Sequence, residues 1–503
     1  VIGIVLWAAV GMQAPQDAAL RAALDALYDG ATESAQLRLA ELQAAHADDP
    51  MAAYLLALAL EWKLEQRPEV RDLDAALELQ AGRALALAEA RLAKDAEDAR
   101  ARLARGAAWG IRSRRALFRG ERRLAARSAV RMREALTQGG AVASDPDALF
   151  GLGLYDYYAD VLPRMLKLLR FVAGLPGGDR ARGLASIEDV RGRTRFHDVE
   201  VEAQLHEIHA SFEKRQDRAL EVLRGLRERY PGSPLWGLKL AAQLRDRLGL
   251  YAQSVAVYRE VEAASAAGHP HYAPVVAAMA GVGAGEALLL DLRLADARDA
   301  LRAVLAGNAL APWIAPRAGY LLGRALEFAG DRADALPHYR NGALSPEPEI
   351  RRRAQRALKQ PMAAREPQTA RLLAEARRLH EAGRTGEAGP LYRAALASMP
   401  RNQEAQLRVA EAELAAGRLE AARAPLTRLA RESDPEPPWV RPWSRVLLGE
   451  LHDLAGERAA AVLEYNLVWE EPGGLPELRA RAARGLQLAK RSAAAARQRP
   501  ALP

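Results

Sequence analysis

The chain has 503 residues, half of them apolar, with 72 Lys and Arg against 64 Asp and Glu for a formal net charge of +8. It holds no cysteine, which excludes disulfides, thiolate catalysis, Cys-ligated zinc and a lipidated cysteine together. Its apolar residues are chiefly Ala and Leu with only 6 Phe, a helical composition; the Arg and Ala enrichment is also what a GC-rich coding sequence yields, so neither by itself signals a ligand.

Val1–Met12 is an apolar run followed by Gln13 and Ala14-Pro15. It reads as the apolar stretch of a secretory signal without its basic flank, so residues 1–14 form a truncated signal segment. Export would place the protein in the periplasm or outside the cell. The alternative is a first helix packed on the fold of a cytoplasmic protein. Twelve residues are too few to span a bilayer, which takes about 20, and no transmembrane segment is read elsewhere.

A divergent helical block follows over 15–200, with periodicity predicting helices near 16–28, 31–46, 50–66, 72–93, 97–112, 115–138 and 145–160. Residues 100–133 carry twelve Arg against the single acid Glu121, a local charge of +11 that leaves −3 for the rest. Arg112, Arg115, Arg119 and Arg122 recur at helical spacing, and Arg123, Arg127 and Arg131 follow at four-residue steps. Such a stripe attracts polyanions: anionic lipid, a wall polymer, nucleic acid or an acidic protein segment. Nucleic acid is least favoured, because Phe118 is the only aromatic between Gly110 and Arg133. A solvated face salt-linked to neighbouring helices accounts for the stripe equally well.

Asp145-Pro146-Asp147 is a helix start, a capping side chain before Pro at the first helical position. Phe150, Tyr155, Tyr157, Tyr158 and Phe171 form the densest aromatic cluster and read as core. The stretch Ala148-Leu-Phe-Gly-Leu-Gly-Leu-Tyr-Asp-Tyr-Tyr158, with Leu162-Pro163, Lys167-Leu168-Leu169, Pro176-Gly177-Gly178-Asp179-Arg180 and Gly183-Leu184, resembles a segment of bacterial tetratricopeptide proteins. More distantly it is similar to the tetratricopeptide 39 and yeast inclusion-body-clearance family, over roughly residues 97–260. That resemblance implies a helical binding scaffold without catalytic residues.

Pro176–Arg180 lacks the Gly-Lys-Ser/Thr of a phosphate loop and reads instead as a turn, with Asp179 capping the next helix. Glu202, His206, His209 and Glu213 lie at helical offsets 0, 4, 7 and 11 and could ligate a divalent ion, the basis of a metal-dependent hydrolase reading. The histidines are three apart, however, where a protease-type zinc helix needs four, so no metal, cofactor or catalytic residue is assigned.

Repeats become visible over 201–345 and again over 370–490. Small-then-bulky pairs four residues apart mark successive second helices: Ala219/Leu223, Ser254/Tyr258, Ala297/Leu301, Ala335/Tyr339, Ala388/Tyr392, Ala422/Leu426 and Ala461/Tyr465. Gly330, Gly383, Gly417 and Gly456 end first helices. Leu379–Gly383, Ala388 and Tyr392 repeat as Glu413–Gly417, Ala422 and Leu426 at an interval of 34, the length of a tetratricopeptide unit. A Pro-rich insertion over 346–369, with a short basic helix at 349–359, reads as a joint, and 491–503 as a flexible tail.

The whole predicts an all-α solenoid of antiparallel helix pairs, a tetratricopeptide-like superhelix. Its expected role is that of a bacterial, non-catalytic scaffold or adaptor that takes a peptide or protein surface in its concave groove, in the cell envelope if exported. Arg112, Arg115, Arg119, Arg122, Arg123 and Arg127 are the candidate anion-binding patch.

Overall fold

A computed structural model describes residues 2–66, 71–138, 144–161, 177–307, 311–363, 365–433, 435–470 and 476–497. Its regular structure there is 24 α-helices and one π turn, with no strand among the described residues. The chain divides into two compact units, Val1–Ile208 with Glu228–Ser233, and His209–Arg227 with Pro234–Pro503.

The N-terminal unit is a stack of helical hairpins. Ile2–Tyr28 pairs with Thr32–Ala45, Pro50–Gln66 with Asp72–Leu92, Ala99–Phe118 with Arg122–Thr137, and Pro146–Val161 with Arg180–Asp189, before Asp198–Glu207. The first helices also pack on one another in succession and so share an inner face. The repeat that fades here in sequence is therefore intact in space. Phe150 and Tyr157 are buried and Tyr155 nearly so, as the core reading requires, while Phe171 lies outside the described residues. Asp179 caps Arg180–Asp189 by accepting from Arg182 N–H at 2.9 Å, and Asp145 accepts from Asp147 N–H at 2.8 Å.

Two boundaries differ. The first helix, expected near 16–28, runs from Ile2 to Tyr28. The break expected between residues 112 and 115 lies instead at Arg119–Glu121, because Gly120 adopts φ +77° and closes the helix with Glu121 N–H bonded to Ala116 O at 2.8 Å. A left-handed residue is what a helix end requires there, and glycine adopts it without a Cβ clash. The Arg stripe is thus split between two antiparallel helices.

The second unit holds the regular repeats, with pairs Pro234–Asp246/Tyr251–Ala266, Pro274–Leu290/Leu294–Ala306 and Ile314–Ala329/Arg332–Gly342. After the insertion come Arg365–Glu381/Thr385–Ser398, Gln403–Ala415/Leu419–Ala430 and Val440–Leu454/Arg458–Glu470, then Pro476–Arg497. All seven small/bulky pairs are buried, Ala335/Tyr339 and Ala422/Leu426 fully; six of them form the seams of these hairpins, and Ala219/Leu223 lies on Gln216–Arg229. The insertion is one unpaired helix, Pro348–Lys359, packed through Ile350 and Ala354 on the preceding hairpin. Pro367, expected in the joint, falls in the first turn of Arg365–Glu381, where an amide proton has no helical acceptor to lose. The backbone is helical to Arg497, and 498–503 lie outside the described residues.

A clasp recurs at these seams that the sequence patterns did not reveal. Tyr339 donates its hydroxyl to Glu327 at 2.6 Å while Arg332 bonds the other oxygen at 2.6 Å; Tyr465 and Arg458 hold Asp453 in the same way. The acid ends the first helix, Arg opens the second, and Tyr stands two turns further within the seam. A neutral ring and a cation thus share one carboxylate, buried at Glu327 and half-buried at Asp453, whose enclosure would otherwise be unfavourable. Gly323 makes room for this ring: a Cβ there would lie 2.7 Å from Tyr339 Cδ1 and Cε1. Gly323→Ala should therefore destabilise this hairpin by about 1–3 kcal/mol. Loss of hydrogen-exchange protection over Ile314–Ala329 and Arg332–Gly342 would record it; unchanged protection would contradict the tight fit.

Candidate functional site

Half of the Arg stripe is engaged by acids. Arg112 pairs with Glu78, Arg114 with Glu61 at 2.5 Å, and Arg119 with Asp74 at 2.7 Å. Arg115 meets Glu121 at 3.1 Å and Asp74 at 4.0 Å. Arg100 is held between Asp17 and Asp49 at 2.7 and 2.8 Å. These are salt links of the kind the solvated-face reading expects; apart from Glu121, the acids come from segments preceding the stripe in the chain. Arg122, Arg123 and Arg127 alone of the six candidates remain exposed without an ion pair or hydrogen bond among the described residues.

The inner face of the N-terminal unit is not an open groove either. A segment of the same unit lies across it. Asp147 accepts the backbone N–H groups of Arg195 and Phe196 at 2.9 and 3.1 Å and bonds His197 Nδ1 at 2.6 Å, while His197 Nε2 meets the Tyr54 hydroxyl. Arg100 stands over the Phe196 ring, and the Phe150 ring packs 5.7 Å from His197. Farther along, Glu200 accepts from Trp62 Nε1 at 2.9 Å and from Tyr28, Gln204 accepts from the Tyr158 hydroxyl at 3.0 Å, and Tyr230 donates to Asp25 at 2.9 Å. Burial alone would raise the Asp147 carboxyl, but His197 and the two amides hold it below the ordinary aspartate range. Glu200, more deeply enclosed, is pushed up by burial. Tyr54, His197 and Asp147 resemble a proton relay in order alone; all three are buried and serve to anchor the segment.

The four metal candidates are not brought together as one α-helical face. Glu202 is engaged by both nitrogens of Arg191 at 2.8 Å, and the helix Asp198–Glu207 passes into a π turn, Ile208–Phe212, which shifts the register before Glu213. Among the described residues no group of three or more His, Cys, Asp or Glu is placed to hold a metal ion.

In the second unit the inner face of the C-terminal repeats is partly open. Arg377 grips Glu404 through two bonds of 2.6 and 2.7 Å and reaches Asp291 at 3.7 Å. One repeat on, Arg408 pairs with Glu411 at 2.7 Å beneath Trp439 and Trp443, whose centroids lie 5.2 and 4.7 Å from its guanidinium carbon. Its Nε is buried without a partner. Gly249 abuts the Trp439 ring, and Leu250 joins the cluster around Trp443. A cavity of about 230 Å³ remains, bounded by the turn 249–253, Asp291, Arg377, His380, Glu404, Arg408 and the two tryptophans. Burial lowers the His380 pKa, with Arg408 adding to the shift.

None of these lining residues was singled out in the sequence, although a signal was present. Arg377, Glu411 and Arg445 recur at 34-residue steps, one per first helix, at the position facing inward. Reading polar periodicity at the repeat interval, rather than apolar periodicity at the helical one, finds Arg377 and the Glu411 that pairs with Arg408.

Two outcomes test these geometries. Asp147→Ala should strip the acceptor from two amides and a histidine, destabilising the N-terminal unit by about 3 kcal/mol or more, read as accelerated tryptic cleavage at Arg195. Burial, opposed by Arg377 and reinforced by Glu381, raises the Asp291 carboxyl to about 6. A carboxyl with a raised folded pKa stabilises most while protonated and loses that contribution as pH climbs through the folded value. Asp291→Asn should accordingly gain thermal stability relative to wild type as pH rises from about 4 to 7; melting curves showing a constant offset would refute this.

Residues 379–441 match the tetratricopeptide repeat family. No curated protein sequence matches the chain. Among solved structures it is similar to a tetratricopeptide repeat protein from Parabacteroides merdae, with 16% identity, covering 57% of this chain and 98% of that one at a TM-score of 0.24. It is also similar to the TPR domain of P58(IPK), at 12% identity, 95% and 99% coverage and TM-score 0.24, and to Cut9-Hcn1 of the APC/C, at 12% identity, 96% and 92% coverage and TM-score 0.26. Scores of this size carry no argument about shape or partner, and the finer resemblance over residues 97–260 rests on the sequence alone. The family match spans the second helix of one hairpin and both helices of the next, where the buried seam pairs Ala388/Tyr392 and Ala422/Leu426 stand 34 residues apart, and residues 379–441 are tetratricopeptide repeats within an all-α chain of helical hairpins.

Proposed function

We propose that this protein is a non-catalytic interaction scaffold that holds a segment of a partner protein against the inner face of its C-terminal repeats. The observation that carries this reading is the half-open cavity between the 249–253 turn and the two tryptophans, with the buried, unspent Nε of Arg408 at its wall. Partly buried aromatics beside an Arg are the composition of interaction hot spots, and an inner face already charged on both signs favours a segment with an apolar anchor flanked by polar groups. The N-terminal inner face, filled by residues 195–200, is assigned no partner. The apolar run Val1–Met12 supports a place in the cell envelope, which fractionation of the native host would test.

Peptide display against the purified chain, followed by titration of the selected peptide, examines the proposal directly. Trp443→Ala and Arg408→Ala should each weaken binding by roughly tenfold or more, equivalent to about 1.4 kcal/mol. Affinities untouched by both substitutions, in variants that melt as wild type does, would place the docking surface elsewhere.

A further inference from the structure

We propose that the tip of the third N-terminal hairpin, residues 117–127, is a peripheral contact site for an anionic lipid surface. It is distinct from the repeat groove and does not rest on the groove reading.

The tip joins two exposures that are rarely combined without use. Leu117 is 65% exposed, Phe118 47% and Leu124 41%, all within four residues of Gly120. Single exposed apolar residues are ordinary; three gathered at one turn are a patch. Around them stand Arg122, Arg123 and Arg127, exposed and without an ion pair, hydrogen bond or ring contact among the described residues. Arg123 and Arg127 are one helical turn apart, and Leu124 precedes Arg127 by three, so these two cations and the leucine share one face of Arg122–Thr137, while Arg122 stands at the helix start beside the turn.

The arrangement of the other arginines sharpens the contrast. Arg112, Arg114, Arg115 and Arg119 are each matched by an acid, and Glu121, the only acid at the tip, is engaged by Arg115. Away from the tip, the arginines of this hairpin without a printed acid partner are engaged otherwise, Arg105 by Gln138 and Arg131 and Arg133 by the rings of Trp109 and Tyr155, whereas Arg122, Arg123 and Arg127 are left unmatched where apolar side chains emerge.

That combination selects among anionic partners. A lipid interface rewards both signals at once, aliphatic and aromatic side chains entering at headgroup depth while guanidinium groups meet lipid phosphates. Single-stranded nucleic acid asks for stacking platforms; Phe118 is the one ring at the tip, and Arg119 lies 5.1 Å from its centroid. A soluble polyanion would use the arginines and gain nothing from Leu117 and Leu124.

Sedimentation of the full chain with vesicles of phosphatidylcholine alone, or mixed with phosphatidylglycerol, tests the proposal. The protein should pellet only with the mixed vesicles. The combined Arg122→Gln, Arg123→Gln, Arg127→Gln variant should bind them about a hundredfold more weakly, since each interfacial cation contributes about fivefold. The combined Leu117→Ser, Phe118→Ser, Leu124→Ser variant should also lose binding, most clearly at high salt where the charge term is screened. Because the chain lacks cysteine, Phe118→Cys offers a single labelling position; an environment-sensitive dye there should shift to the blue with mixed vesicles. Failure to pellet with mixed vesicles overturns the proposal, as does binding that survives the triple Gln change. So does binding indifferent to the triple Ser change, which would mark a general polyanion patch, a result that retention on heparin would then confirm. Melting temperatures matching wild type show that the exposed substitutions leave the fold intact.

Discussion

Guanidinium groups on inner faces govern how this chain is built. A stack of helix pairs buries one flank of every first helix against its own partner and another against neighbouring first helices, so a charge there cannot reach bulk water freely. Arg100, Arg114 and Arg377 all stand in that position, and each is met by one or two carboxylates from other hairpins. Removing one member of such a pair strands the other, at a typical cost of about 3–5 kcal/mol. The pairs are consequently better regarded as fixing which hairpins face each other than as net sources of stability.

The same constraint explains why the chain closes over its own grooves. The carboxylate of Asp147 and the ring of Tyr54 would face solvent or a partner in an open stack; here Arg195, Phe196 and His197 satisfy them, in the manner expected of a bound peptide. In the second unit Asp291 and the Gly249–Leu250 turn approach the C-terminal inner face, but the contact is incomplete, with Arg408 Nε left unmatched. A groove that is filled is structure; one that is half filled retains capacity for a partner.

Much of the architecture was legible because hairpin seams obey a local rule. A small residue and a bulky one four positions later must interlock with the preceding helix, so Ala335/Tyr339 or Ala422/Leu426 announce themselves in any window of the sequence. The turn glycines are legible for the same reason: Gly330, Gly383, Gly417 and Gly456 all adopt positive φ. Gly120 was overlooked because arginine periodicity runs across it unbroken from Arg112 to Arg131. The groove contacts were hidden for a different reason. Arg377 and Asp291 are 86 residues apart, Asp147 and His197 are 50 apart, and no periodicity links partners whose proximity depends on how successive hairpins rotate. The Glu202, His206, His209 and Glu213 pattern failed in the converse way, since it assumed an unbroken α-helix where a π turn intervenes.

Arginine thus serves three ends in one fold, and its surroundings decide which. On an inner face it is bound by acids and holds hairpins together, as Arg377 does. At the start of a second helix it completes the clasp on the carboxylate that ends the first, as Arg332 and Arg458 do. At a hairpin tip, where no later helix supplies an acid, it stays unmatched, as Arg122, Arg123 and Arg127 do. A net charge of +8 conceals this partition completely. Attraction to an anionic surface would arise from the third group far more than from the first two, because paired charges cancel at distances beyond their own separation, while unpaired ones act out to about a Debye length. The function of a basic residue in this chain is therefore set less by how many arginines surround it than by whether another hairpin can reach it with a carboxylate.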